Sequence, residues 1–329
     1  MKERDIRPEA LVQRYLELSA QDARRFFADD VRMDIPCVAC GGNENDHAFE
    51  KHGFGYCRCK ACGTLYQNPR PRQSLFEAFY RDSASSNYWA EVFFPAVAEA
   101  RREKIIRPRV NRLAALCETS NNRVEHLIDV GAGFGILLDE WRQQFPEAKL
   151  VAIEPSAVLA EECRVKGFEV AENIVEQVSG YDDFADLVVC FEVLEHVYEP
   201  LSFLQTLARL ARPGGMVFVS TLCIDGFDLQ TLWDRSKQIF PPHHINFLSI
   251  DGFYRLFASA GLKNVKIMTP GKLDVDIVKN AIREHPKMLE GNRFLEYLLK
   301  NDQLATAFQE FLSQNLLSSH AWITGQVTR

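Results

Sequence analysis

Apolar positions change their spacing several times along this chain, and each change predicts a different kind of element. Over residues 1–30, Leu11, Tyr15, Leu18 and Phe26 or Phe27 recur at roughly helical spacing, which predicts an N-terminal helical segment. Residues 31–72 lose that period. Glycines and cysteines replace it, and the stiff run Asn68-Pro69-Arg70-Pro71 closes the stretch, so a small irregular module followed by a linker is expected. Residues 73–117 return to helical patterns, with Pro95 and Pro108 as expected breaks, and read as a helical linker or lid packed on the domain after it.

From His126 short apolar runs alternate with amphipathic helical stretches, the sequence form of a parallel sheet with crossover helices. The predicted strands are His126–Val130, Lys149–Ile153, a weak one at Phe168–Ala171, Ala185–Phe191, Gly215–Thr221 and Val265–Thr269. After Pro270 a mostly helical stretch, about 273–318, precedes a last strand-like run, Ala321–Thr328. One domain over 118–329, interrupted by that helical insertion, is the expected organisation.

Composition narrows the possibilities. The 329 residues are 47% hydrophobic and 25% charged, ordinary for a folded protein, and the formal charge of -7 argues against nucleic acid or an anionic membrane as the main partner. A small-molecule or glycan substrate fits better. The start MKERDIRPEA carries charges where a secretory signal needs an apolar core, and no run approaches the ~20 apolar residues of a membrane span, so a cytoplasmic protein is expected. Oligomeric state has no signature here.

Of nine cysteines, five fall between Cys37 and Cys62, and in a reducing compartment that clustering favours a metal over disulfides. Cys37-Val-Ala-Cys40-Gly41 and Cys59-Lys-Ala-Cys62-Gly63 form two C-x2-C-G knuckles, each able to place two thiolates on one edge of a tetrahedron. Four thiolates leave no open position, so Zn²⁺ there is expected to hold the fold and do no chemistry. Cys57 is a competing ligand, with Cys59 preferred because it keeps the C-x2-C spacing.

The segment HLIDVGAGFGILL, residues 126–138, is an apolar strand ending in Asp129, then Gly131, Gly133 and Gly135, then a helix. Such glycines let the backbone turn tightly and approach a ligand at a helix N-terminus. They do not fit the dinucleotide pattern G-x-G-x-x-G, whose third glycine would fall on Ile136, so a nicotinamide cofactor is disfavoured. About twenty residues on, the next strand ends in Glu154, where a carboxylate can bond both hydroxyls of a ribose.

With FADLVVCFEVLEHV (184–197) and Ala211-Arg-Pro-Gly-Gly215 downstream, the order of elements over 120–270 resembles the class I S-adenosylmethionine-dependent methyltransferases. The resemblance implies an α/β fold: a seven-stranded Rossmann-like methyltransferase sheet, here with an N-terminal zinc-ribbon-like module and helical additions. It further implies S-adenosylmethionine as cofactor, with Asp129 and the three glycines bordering its methionine end, Glu154 on its ribose, and the final strand inserted antiparallel beside the fifth. Glu172 and Asn173 lie in the loop that would meet adenine. The knuckle pair ahead of such a domain resembles bacterial enzymes of sugar and glycan tailoring, among them deoxysugar C-methyltransferases.

For the chemistry, Glu192, Glu195 and His196 form E-x-x-E-H, and at i, i+3 and i+4 of a helix they would share one face. His243 and His244 follow, one expected to face the site, with His244 preferred. Three readings stay open: these residues hold a divalent ion, Mg²⁺ first, that acidifies the acceptor hydroxyl, as the resemblance to small-RNA 2′-O-methyltransferases and some ubiquinone-pathway O-methyltransferases implies; a histidine is the general base; or they only position the acceptor. Tyr88 and Trp89 are candidates to cover the cofactor. The basic run Arg101, Arg102, Lys104, Arg107, Arg109 and Arg112 reads as a solvated helix face, or alternatively as a site for a sugar nucleotide's diphosphate. The expected reaction is O-methylation of a sugar, sugar nucleotide or glycan. Sugar C-methylation, metal-dependent RNA 2′-O-methylation, and a zinc-organised binding protein without catalysis are the rivals.

Overall fold

A computed structural model describes residues 2–28, 30–119 and 123–328. The chain opens with α1 (Glu9–Phe27), then a cysteine-bearing segment with strands β1 (Asn45–Lys51), β2 (Phe54–Cys59) and β3 (Leu65–Gln67). Helices α2 (Gln73–Asp82), α3 (Ala84–Tyr88), α4 (Phe94–Arg101) and α5 (Arg107–Thr119) lead into the α/β region. There β4 (His126–Val130), α6 (Ile136–Gln144), β5 (Lys149–Ile153), α7 (Ala157–Val165), β6 (Glu169–Ala171), β7 (Ala185–Phe191), α8 (Pro200–Leu210) and β8 (Ala211–Leu222) alternate. The remainder is α9 (Phe227–Leu232), β9 (Asn246–Phe247), α10 (Ile250–Ser259), β10 (Leu262–Met268), α11 (Asp274–Glu284), α12 (Arg293–Lys300), α13 (Asp302–Gln314) and β11 (His320–Val327).

Seven strands form one sheet in the order β10-β11-β8-β7-β4-β5-β6, parallel except for β11, which runs antiparallel to both its neighbours. The last strand thus lies beside the fifth, as the methyltransferase resemblance implies. Strands β4 and β7 are buried almost end to end, because helices cover both faces, and so their sequences read as continuous apolar runs. Strand order reverses between β4 and β7, so the loops at their carboxyl ends diverge and open the crevice where such sheets bind ligands.

Three local expectations are revised. Pro95 and Pro108 do not break the helical stretch, whose backbone stays right-handed through Phe93, Phe94, Arg102 and Arg107; each proline comes two residues after a π-helical turn. Irregularity enters instead as two single turns of π-helix, Trp89–Phe93 and Arg102–Ile106, on either side of α4. Strand β8 begins at Ala211 rather than Gly215: Ala211 pairs with Ala185, the register then shifts, and Met216 pairs with Leu187, so Arg212–Gly215 form a bulge.

The cysteine-bearing segment is tied into the catalytic region by a second sheet, β1-β2-β3-β9, in which Leu65 pairs with Phe247 and Tyr66 with Asn246. The linker is no free tether. Arg70 is fully buried, donating to Tyr198 O at 2.8 Å and Asn246 Oδ1 at 2.7 Å. Among the described residues, no helix is long and apolar enough to cross a membrane.

Candidate active site

The glycine loop follows β4 and turns through three left-handed residues, Gly131 (φ 74°), Gly133 (φ 54°) and Gly135 (φ 66°). Two are glycine for want of room: a Cβ on Gly131 would lie 2.6 Å from Val193 Cγ2, and one on Gly135 would lie 3.1 Å from Cys163 Sγ. Gly133 differs. A Cβ there meets no atom of the chain within 4 Å and would project into open space, as a backbone cradle for a ligand requires. Glu154 closes the loop, its Oε2 accepting from Gly133 N at 2.8 Å and its Oε1 from Ser156 N at 2.9 Å. Burial raises the Glu154 carboxyl above its ordinary value, and burial with the neighbouring Glu154 pushes Asp129 up to about 8. Glu172 lies on the surface, paired with Arg164 at 2.6 Å.

An aromatic residue does cover the loop, but it is Phe94, stacked on Phe134 with ring centroids 4.7 Å apart and planes at 5°. Trp89 instead stacks on Phe93 at 4.5 Å and meets Tyr15 of α1 at 5.3 Å.

The E-x-x-E-H residues do not form a helical face. After β7 the chain places Glu192 in a left-handed conformation (φ 56°), and only Leu194–His196 make a single 3-10 turn. The two carboxylates therefore part. Glu192 accepts from Ser220 Oγ at 2.8 Å and pairs with Arg109 at 3.2 Å and His320 at 3.5 Å. Burial alone would raise its pKa, yet His320, Arg109 and the Ser220 hydroxyl outweigh it and hold Glu192 down to about 2. Glu195 turns inward, accepting from Thr221 Oγ1 at 2.7 Å, and burial together with Glu192 pushes it up to about 8.

Glu195 meets His196 and His244, and ligand atoms of the three lie within 4.8 Å of one another. Each ring has one nitrogen engaged. His244 Nδ1 donates to Gln238 O at 2.6 Å, and His196 Nδ1 meets the Tyr80 hydroxyl at 3.1 Å, which itself donates to His243 O at 3.2 Å. Burial lowers both imidazoles, His196 to about 3 with repulsion from His244 adding to it, and His244 to about 4. Both are neutral near pH 7. His243 is not in this group: it is buried one layer behind, stacked on Phe240 at 5.2 Å, with Nε2 3.3 Å from Ser85 Oγ. Val193, in contact range of Gly131, joins this cluster to the glycine loop.

Sequence reasoning missed Tyr80, which has no motif, and His320, whose strand arrives from 128 residues beyond Glu192. Arg109 lay inside a basic run that resolves into separate partners: Arg102 and Arg107 pair with Glu140 at 2.9 and 2.8 Å, Lys104 with Asp5 at 3.0 Å, and Arg112 lies over the Trp322 ring at 5.2 Å. A depression lined by Cys117, Trp141, Phe145 and Lys149 sits at the amino ends of β4 and β5, the opposite end of the strands.

The four knuckle cysteines converge as well. Cys37 and Cys62 Sγ are 3.6 Å apart, Cys40 and Cys59 Sγ 3.5 Å, and all four lie within 4.8 Å of one another. Zinc–sulfur bonds of about 2.3 Å in a tetrahedron need sulfurs about 3.8 Å apart, so the donors fit Zn²⁺. Cys57 faces away, its Sγ 3.5 Å from Asn68 O.

Comparison with known proteins agrees with this fold. Residues 97–267 match the family described as Methyltransferase domain, just over half of the chain. A ubiquinone biosynthesis O-methyltransferase of Xanthomonas oryzae pv. oryzae is 32% identical over 121 residues, 35% of this chain and 48% of that protein. The Klebsiella pneumoniae protein of that name is 32% identical over 128 residues, 36% and 52% of the two chains. The chain thus spans about half the length of these curated relatives. Among solved structures, the plantazolicin methyltransferase BpumL in complex with a monoazolic desmethylPZN analog and SAH aligns with TM-score 0.51 at 13% identity, covering 78% of this chain and 94% of that one. Human N-acetylserotonin methyltransferase in complex with SAM aligns with TM-score 0.50 at 15% identity, covering 79% and 60%. The seven-stranded sheet and the matched residues together place this chain in the methyltransferase-domain family, on the class I S-adenosylmethionine-dependent methyltransferase fold.

Proposed function

We propose that this chain transfers a methyl group from S-adenosylmethionine to a hydroxyl of a small polar acceptor, a sugar, sugar nucleotide or glycan being the first class to test. The observation that carries the reading is the cluster of Glu195, His196 and His244 beside the glycine loop, two neutral imidazoles with one ring nitrogen each committed to the protein. The relatives named as O-methyltransferases support oxygen as the accepting atom.

Bound S-adenosylmethionine supplies an electrophilic methyl group. The open space at Gly133 supports its binding there, and the Glu154 carboxylate, buried at the end of β5, would bond the ribose hydroxyls. At the acceptor side, His244 is locked by the Gln238 carbonyl, so its second nitrogen is the lone pair offered to a hydroxyl proton. A neutral imidazole in a fixed tautomer aligns the hydroxyl for in-line attack and takes its proton.

The same residues fit a divalent ion. Metal-binding histidines donate their other N–H to a carbonyl or similar group, as His244 does to Gln238. Two imidazole nitrogens and one carboxylate suit a borderline ion such as Zn²⁺ or Fe²⁺ better than Mg²⁺, which prefers oxygen. Such an ion lowers the pKa of a hydroxyl it binds. We further infer that Cys37, Cys40, Cys59 and Cys62 hold a structural Zn²⁺.

The test is methyl transfer from labelled S-adenosylmethionine to a panel of sugars and sugar nucleotides, preceded by calorimetric titration of the cofactor. Micromolar cofactor binding with labelled ether product is the expected result. Absence of cofactor binding would sink the assignment.

A further inference from the structure

Beside the aromatic stack on the glycine loop lies an arginine with no carboxylate partner among the described residues. Arg101 ends α4 where the π-helical turn Arg102–Ile106 begins, and its guanidinium lies over the Phe94 ring at 5.5 Å, on the ring that stacks on Phe134 of the cofactor loop. Its Nε is buried without a hydrogen-bond partner, and among the described residues no carboxylate reaches salt-bridge distance. Arg102, Lys104, Arg107 and Arg109 of its run each pair with a carboxylate, whereas Arg101, like Arg112 on Trp322, has only a ring against it.

The surrounding charge is unbalanced. Burial first, and then repulsion from Arg7 and Arg109, lower Arg101 to about 10 against the attraction of Glu192, so it is still protonated at neutral pH. Glu192 is spent on Arg109, His320 and Ser220, and among the described residues Arg7 pairs with Glu3, at 3.9 Å. A guanidinium whose Nε is buried without an acceptor is costly, and a planar donor fork is suited to a carboxylate or phosphoryl oxygen pair. Single π-turns inside helices recur at functional sites, and one follows Arg101 directly, where its side chain lies on the Phe94 ring.

We propose that Arg101 is the recognition group for an oxyanion, a carboxylate or a phosphoryl group, carried by the methyl acceptor. The inference rests on the reading of this crevice as the acceptor site and narrows the acceptor to an anionic molecule, which a sugar nucleotide or a uronic acid satisfies and a neutral sugar does not. A hydroxyl at His244 and an oxyanion at Arg101 then fix the acceptor at two points.

Calorimetric titration of the full chain loaded with S-adenosylhomocysteine tests this, with benzoate, phenyl phosphate and uncharged benzyl alcohol as probes. At least one anion is expected to bind about 10-fold or more tighter than benzyl alcohol, the range of a charge-assisted hydrogen bond, and the two anions separate carboxylate from phosphoryl. Arg101→Gln should abolish the preference, Arg101→Lys should keep part of it, and Arg123→Gln, on the far surface, should leave it unchanged. Unaltered S-adenosylhomocysteine affinity in Arg101→Gln shows the fold intact. Anions binding no tighter than benzyl alcohol, or a preference that survives Arg101→Gln, overturns the inference while the methyltransferase reading stands. Failure of the wild-type chain to bind S-adenosylhomocysteine overturns both.

Discussion

His244 donates its Nδ1 proton to the carbonyl of Gln238 across 2.6 Å, which sets the tautomer of the ring and leaves one basic nitrogen to face Glu195 and His196. The bond links two residues of one loop, so the ring is held by the chain that carries it. A role in proton transfer or in ion binding depends on that orientation.

The first prediction separates those roles. His244→Ala and His196→Ala should each lower turnover by roughly 10²- to 10⁴-fold with cofactor affinity retained, since neither ring touches the glycine loop. Glu195→Gln should match them only if an ion is bound, because a neutral amide still meets Thr221 but binds metal poorly. Glu192→Gln should act differently, loosening Arg109 and His320 rather than the histidine cluster. Chelation that stops turnover, with recovery on adding Zn²⁺, Fe²⁺ or Mn²⁺, identifies the ion; turnover indifferent to chelator identifies a base.

The second concerns the cofactor loop. Gly133→Val keeps the protein packing, as its Cβ meets nothing within 4 Å, but fills the cradle and adds strain at φ 54°. Glu154→Ala removes the ribose acceptor and frees Gly133 N and Ser156 N. Each should weaken S-adenosylmethionine about 10- to 100-fold, the worth of one or two charge-assisted hydrogen bonds. Unchanged affinity by calorimetry in both variants would show the ligand lies elsewhere.

How far the sequence reached depends on the range of each interaction. The glycines turn the chain locally and each knuckle sets two cysteines three residues apart, so their spacing carries that geometry, while Glu154 reaches Gly133 because β5 lies beside β4. The E-x-x-E-H motif misled because three residues can occupy i, i+3 and i+4 without being helical: Glu192 at φ 56° swings one carboxylate to Arg109 while Glu195 turns inward. His243 and His244 are adjacent letters with no internal clue to which faces the site; the packing of His243 against Phe79, Phe240 and Tyr15 decides it. The pairing of β3 with β9 joins segments about 180 residues apart, and two-residue β9 has no pattern to read.

The third prediction concerns zinc. Purified protein should contain about one equivalent, the content of one four-thiolate tetrahedron. Cys40→Ser with Cys62→Ser should release it and lower the melting temperature, while Cys57→Ser should retain it, since Cys57 Sγ lies against Asn68 O. Metal loss should also disturb catalysis through β3, whose partner β9 follows directly on His244 and Ile245. Elemental analysis finding zinc in the double variant would move the ligands elsewhere.

The fourth turns on Asp129, held up to about 8 by burial and by Glu154 against about 3.9 for an unfolded aspartate. Between those values the folded chain binds the extra proton, so this residue's contribution to stability is present at low pH and is lost as pH rises through the window. His196 and His244, lowered to about 3 and 4, act oppositely, but only below the unfolded histidine value of about 6.5. From pH 7 to 8 Asp129 and Glu195 press the melting temperature down, against the upward slope of Lys51, lowered to about 8 by burial, and of Cys62, lowered to about 5 chiefly by the Cys37 thiol. The Asp129 share is therefore read as the difference between wild type and Asp129→Asn. Asp129→Asn should remove the Asp129 share and leave that of Glu195, also held up to about 8, which slopes the same way. A cationic ligand reverses the preference: S-adenosylmethionine bound against Asp129 favours the carboxylate, so binding near pH 7.5 should release protons, read as a dependence of the calorimetric enthalpy on the ionisation enthalpy of the buffer. Proton release that persists in Asp129→Asn would remove Asp129 from the cofactor site.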